Sequence, residues 1–335
     1  MRLCTFAVAT PLGESRRIGV ETTIGVVDAT AARIALMERS LRPGAALRVG
    51  AAQVPPDMIE LIGSGKLGME WVAEALEHVL GRGQSTGSRG QTIVYKLADI
   101  SLLAPVPRPP GIANFSVWPS HTADSAAKGF NLKAAEEGSG VKPYWKGNPV
   151  SVVGPGTVLE PPSYEDELDV ECELVCIVGT GGRDLDYAAA EQAIAGYTIV
   201  NDVSARDFQR AEMKTGRGPA KGKDFDGGNV MGPWLVTPEE VGDPRTLRLS
   251  LHVNGEELSS SDASGMIWDF PEMLSYLARG QTILPGHVIS AGCYAGGSAM
   301  DLNRRLEPGD LVELRISRIG SLLSRIGAPS GSLTA

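Results

Sequence analysis

Glu171 and Glu173 are the residues whose type and spacing first suggest chemistry. They lie in 168–179, Leu-Asp-Val-Glu-Cys-Glu-Leu-Val-Cys-Ile-Val-Gly, where apolar residues recur in the period of a β-strand. One face is Val170, Cys172, Leu174, Cys176 and Val178; the other starts as Asp169, Glu171, Glu173 and turns apolar at Val175 and Ile177. The two glutamates therefore leave one side of one strand, with Cα atoms about 7 Å apart. If buried, such carboxylates repel each other and lose hydration. A hard divalent cation relieves both costs and takes oxygen ligands of this type. A solvated strand face explains the same pattern without a metal. A third acid, Asp202, ends the next strand-like run, 194–202, and would complete a three-carboxylate oxygen site.

Other side chains could serve such a centre. In 201–209, Asn-Asp-Val-Ser-Ala-Arg-Asp-Phe-Gln, Ser204 and Asp207 read as a capping box, so Arg206 and Gln209 share one helix face just after Asp202. An arginine there can grip a carboxylate in bidentate fashion, or simply sit on a surface helix. The loop 218–228 offers Lys223 as a further cation, without the spacing of a phosphate-binding loop. In 114–124, Ser120 can start a helix that places His121 and Asp124 three residues apart. An acid-oriented imidazole of this kind can act as a general base, although such pairs also occur for structural reasons. Ser85, in Gly83-Gln84-Ser85-Thr86-Gly87, lacks the strand-then-helix context of a serine nucleophile.

The elements that must position these groups follow from patterning. Strands are expected at 170–178, 194–200, 234–236, 247–253, 288–290 and 311–316, with helices at 187–193, capped by Asp186, and at 205–214 and 271–278. Asn254-Gly255 is a hairpin turn. Residues 1–90 read as a small α/β unit plus a Gly/Ser-rich linker, with Thr30 capping a helix at 31–39; 91–325 reads as a β-rich barrel, roll or sandwich, and 326–335 as a loose tail. The 335 residues carry 42% hydrophobic side chains, enough for a substantial core, and a net charge of −9 disfavours a nucleic-acid partner. No run approaches the length of a membrane span. The four cysteines form no Cys-x-x-Cys pair and read as buried thiols of a reducing, cytoplasmic compartment, which argues against zinc.

Taken together and in order, Glu-x-Glu at 171–173, Asn-Asp-x-Ser-Ala-Arg-Asp-x-Gln at 201–209, Gly-Lys-Asp-Phe at 222–225, Leu-Pro-Gly at 284–286 and Leu-Glu-Pro-Gly-Asp at 306–310 resemble the fumarylacetoacetate hydrolase superfamily over roughly 100–323. The resemblance implies an α+β fold, a mixed β-roll behind a variable N-terminal domain, assembled as a homodimer. It implies Mg²⁺, or Ca²⁺ or Mn²⁺, held by Glu171, Glu173 and Asp202, with Arg206, Gln209 and Lys223 near metal or substrate. It also implies a water-activating His121 with Asp124, and substrate contacts from Tyr144 and Lys146. The implied activity is C–C bond hydrolysis of a 1,3-dicarbonyl or acylpyruvate-type acid through a chelated enolate; decarboxylation or keto–enol isomerisation of a 2-oxo acid stays open. Three departures stand out: Asn114 where a fourth carboxylate is known, Cys293 where a substrate-contacting Thr is usual, and His287 in place of an Asp. The last two leave open an inactive member that keeps only the cation.

Overall fold

A computed structural model describes residues 1–130, 140–166 and 168–328. The expected α+β, strand-rich architecture is what the chain adopts. At its centre lies the strand Glu171–Val178, buried along its whole length. It pairs antiparallel with Ile194–Asp202 on one side and Val288–Ser298 on the other. Beyond these, Asn229–Val236 continues the sheet past Asp202, and Ile112–Phe115 and Tyr144–Gly147 continue it past Val288–Ser298.

The alternation in 170–178 has a two-sided cause. Cys172, Leu174, Cys176 and Val178 pack into a core shared with Leu249, Leu251, Val312 and Leu314 of a second sheet. That sheet runs Glu256–Asp262, Arg248–Val253, Leu311–Ile316, Gly320–Ile326, Val158–Leu159. Val175 and Ile177 point the other way, into a core with Met58, Leu61, Ile62 and Val72 from the helices Met58–Gly63 and Gly65–Arg82. The central strand is thus covered on both faces, and its acidic end is the part reserved for a cleft. Leu and Val burial of this kind contributes about 2 kcal/mol per side chain.

Residues 1–90 are not set apart from the rest. Arg2–Thr10 pairs with Asn229–Val236, aligning Leu3 with Leu235, so the N-terminal hairpin extends the same sheet that carries the carboxylates. Local capping follows the sequence in part. Asp186 caps Tyr187–Ala193 as expected, and Asn254-Gly255, both at positive φ, turns the hairpin. The helix Ala29–Met37 is capped by Asp28 rather than Thr30: two residues earlier, a carboxylate reaches the Ala31 N–H. The helix Arg206–Met213 starts without a side-chain cap, because Ser204 Oγ instead donates to the Asp202 carbonyl. From residue 329 on, the expected C-terminal tail lies outside the described residues.

Because Leu3 is buried against the common sheet, Leu3→Ala should destabilise the whole protein, not a detachable N-terminal unit. We expect a loss of about 3 kcal/mol in urea unfolding. A second, unshifted unfolding transition for the carboxylate-bearing sheet would contradict this continuity.

Candidate metal centre

Strand register brings the three acids together. Cys172 pairs with Asn201, so Glu171 and Glu173 flank the position next to Asp202 on the neighbouring strand. One carboxylate oxygen from each of Glu171, Glu173 and Asp202 falls within 4.8 Å of the others, and all three residues are buried. A solvated strand face is therefore excluded.

Each carboxylate has a distinct set of partners. Glu171 accepts from Lys223 Nζ at 2.7 Å and faces Arg206 Nη2 at 2.8 Å. Glu173 accepts from Asn114 Nδ2 at 2.9 Å and from Ser290 Oγ at 2.6 Å. Asp202 Oδ2 accepts from Lys223 Nζ at 2.6 Å and Asn114 Nδ2 at 3.0 Å. Asp202 Oδ1 is buried and has no hydrogen-bond partner among the described residues. A buried acceptor left so is costly, and a cation between the carboxylates would satisfy it.

The electrostatics agree. Burial pushes the Glu171 carboxyl up, but Lys223, Arg206 and His121 outweigh it and bring it down to about 2. Burial and the neighbouring Asp202 and Glu171 charges push Glu173 well above the usual carboxylate range. Burial, only partly opposed by Lys223, raises Asp202 to about 7. Two of the three acids thus resist ionisation without a further positive charge beside them. The donor set, three carboxylates with one orphaned oxygen, fits Mg²⁺, Mn²⁺ or Ca²⁺.

Two glycines make the approach possible. Gly292 has φ +77°, and a Cβ there would lie 2.3 Å from the Phe115 carbonyl. A Cβ on Gly222 would lie 2.6 to 2.9 Å from Gln209 backbone and Cβ, so only glycine lets the Lys223 loop close on that helix.

The other sequence candidates divide. Lys223, Gln209 and Cys293 line one small cavity with the three carboxylates, together with His121, Trp118 and Trp145. Its volume is about 70 Å³, room for a few non-hydrogen atoms of ligand. A larger cleft of about 700 Å³, lined by Met1, Met69 and Thr180 among others, lies away from the acids. The His121–Asp124 pair does not form. Asp124 is exposed, and His121 Nδ1 instead bonds Asp301 Oδ2 at 2.9 Å. The helix Pro119–Ala127 turns the imidazole inward toward the short Met300–Leu302 turn, across a separation of 180 residues that no local pattern reports. Arg206 does not present its guanidinium to the cavity. It is bound by Asp169 through Nε at 2.8 Å, by Glu171, and by Gln209 through Nη1 at 3.0 Å, which makes it a positioning residue for Glu171. Tyr144 packs on Phe115 and Lys146 is exposed; strand alternation turns Trp145, between them, toward the site. Sequence reasoning missed Asp301, Ser290 and Trp145. Only the last had a signal, its place between two quoted candidates.

The sequence model of the fumarylacetoacetate (FAA) hydrolase C-terminal domain matches residues 119–327. The chain belongs to the fumarylacetoacetate hydrolase family. Within curated proteins it is 30% identical over 283 residues to oxaloacetate tautomerase YisK of Bacillus subtilis, covering 82% of this chain and 87% of that one. Among solved structures of the family, fumarylacetoacetate hydrolase from Exiguobacterium antarcticum superposes with TM-score 0.68 at 26% identity, over 97% of this chain and 99% of that one. Maleylpyruvate hydrolase from Sphingobium sp. SYK-6, solved with manganese(II) and pyruvate, shares the fold with TM-score 0.67 at 23% identity, over 98% of this chain and all of that one. The chain is therefore an enzyme of this family.

The raised acids set a pH dependence. In metal-free protein, protons sit on Glu173 and Asp202 until pH rises through about 7 for the latter, so a cation must displace them below that pH and less so above. Mg²⁺ or Mn²⁺ affinity should therefore climb from pH 6 to pH 8 by about tenfold per proton displaced per pH unit. Titration calorimetry in buffers of different ionisation enthalpy should record proton release at pH 6. Metal uptake without proton release there would contradict the assignment.

Proposed function

We propose that this enzyme interconverts the keto and enol forms of a small 2-oxo acid of the oxaloacetate type, with a divalent cation as cofactor. The observation that carries the reading is one small cavity lined by His121 and three buried carboxylates, with the imidazole held from behind by Asp301. Likeness to an oxaloacetate tautomerase over most of both chains supports it.

Glu171, Glu173 and Asp202 would hold the cation, which supplies Lewis-acid polarisation of the substrate's oxygens. His121 gives its Nδ1–H to Asp301, which leaves Nε2 as the basic nitrogen. At Nε2 the imidazole takes a proton from the carbon beside the keto group. The C–H electron pair becomes the C=C bond, the carbonyl π pair moves to oxygen, and the imidazolium delivers the same proton to that oxygen, giving the enol and restoring the neutral imidazole; the reverse path returns the keto acid. Asp301 holds the ring in place and balances the imidazolium. Lys223, its ammonium buried between Glu171 and Asp202, balances the charge left when those acids are ionised. Trp118, Trp145 and Cys293 wall the cavity beside these groups.

A second reading keeps the same residues and gives His121 a water to activate, so that an acylpyruvate is cleaved at a C–C bond. The structural likeness to fumarylacetoacetate hydrolase favours it.

Decay of the enol absorbance of oxaloacetate, followed with Mg²⁺ or Mn²⁺, separates these readings from each other. We expect catalysed enol–keto exchange without pyruvate release, lost on chelation. His121→Ala should lower kcat by about 10²- to 10⁴-fold. Asp301→Asn should lower it less and shift the pH profile. Turnover of acylpyruvates alone would favour the hydrolase, and a full rate in His121→Ala would remove the imidazole from the mechanism.

A further inference from the structure

Cys293 is a departure from the family pattern that the proposed reaction uses only as a wall. It pairs across the sheet with Glu173, and its Sγ lies in the same cavity as His121. One ligand atom each of His121, Cys293 and Asp301 falls within 4.8 Å of the others. This nitrogen, sulfur and oxygen set shares no residue with the three-carboxylate centre. Asp301 is buried, its side chain 2% exposed, and its Oδ1 has no hydrogen-bond partner among the described residues.

We propose that His121, Cys293 and Asp301 form a second cation site, selective for a borderline-soft ion such as Zn²⁺, and that filling it switches the enzyme off. The donor chemistry separates the two sites. Three carboxylates suit hard ions, while thiolate and imidazole suit Zn²⁺ and Co²⁺, with a water or substrate oxygen as fourth ligand. Capture replaces the thiol proton, which passes to solvent, and no bond other than S–H breaks. Sequence spacing gave no hint of such a site, because its ligands come from a helix, the middle of a strand and a turn, two of them far from the third along the chain. The inhibition rests on His121 being the base proposed above; the binding does not.

The test uses the full chain with its hard-metal site saturated by Mg²⁺, titrated with Co²⁺ and then Zn²⁺. We expect a near-ultraviolet thiolate-to-cobalt absorption that saturates at one equivalent, and a sulfur shell in the zinc X-ray absorption spectrum. Cys293→Ser should lose both, and its zinc inhibition constant should rise about 10- to 100-fold relative to its own uninhibited rate. Absence of the sulfur shell in the unmutated protein overturns the site, and that readout needs no variant to fold. An equal zinc inhibition constant in Cys293→Ser and the unmutated protein overturns the switch. If the cobalt band forms but no oxo acid is turned over, the site stands and the proposed reaction fails; turnover with no band sinks the site alone.

Discussion

Mutual repulsion among Glu171, Glu173 and Asp202 is the constraint on which the rest of this structure depends. Three carboxylates within 4.8 Å, all buried, are far too costly to keep as free anions. The protein meets that cost in three ways visible around them. Lys223 is drawn, 2% exposed, between two of the acids. Arg206 is locked against Asp169 and Glu171. Burial holds the Glu173 and Asp202 carboxyls above their ordinary range, which favours their neutral forms. None of the three satisfies Asp202 Oδ1. A divalent cation is the one component that resolves all of these at once, and the surrounding positioning makes sense as preparation for it.

That preparation reaches outward through the fold. Asp169 accepts from Arg206 with one oxygen and from the Ala299 N–H with the other, at 3.0 Å. The same turn carries Asp301, which holds His121. Ion pairs, hydrogen bonds and the short backbone stretch from Ala299 to Asp301 thus connect Glu171 with the acid that holds His121. The sheet that bears this network is packed on both faces, which fixes strand register and hence the acids' spacing.

Much of this was legible in the sequence, for identifiable reasons. Alternation in 170–178 and the Asn-Asp terminus of 194–202 report local geometry, and local geometry placed Glu171, Glu173 and Asp202 correctly. Lys223 was legible as a cation in a glycine-rich loop, but not its position between two acids. What failed was pairing at long range. Asp124 is the sequence neighbour of His121, yet helix rotation turns it to solvent, and the true partner comes from residue 301. Arg206 read as a group near metal or substrate, or on a surface helix, and nothing local shows that Asp169 consumes its guanidinium. Tyr144 and Lys146 were misplaced by one step of strand alternation, a displacement that moves a side chain to the opposite face. The N-terminal segment looked separable because its boundary is rich in Gly and Ser, while the strand pairing that joins Leu3 to Leu235 spans the whole fold.

The account stands or falls on where a cation goes. Crystals soaked in Mn²⁺ and measured at the manganese absorption edge would locate it by anomalous scattering. A peak enclosed by Glu171, Glu173 and Asp202, lost in Glu173→Gln, is the predicted result. Manganese elsewhere on the molecule, with the three carboxylates still held by Lys223, Arg206, Asn114 and Ser290 alone, would contradict it.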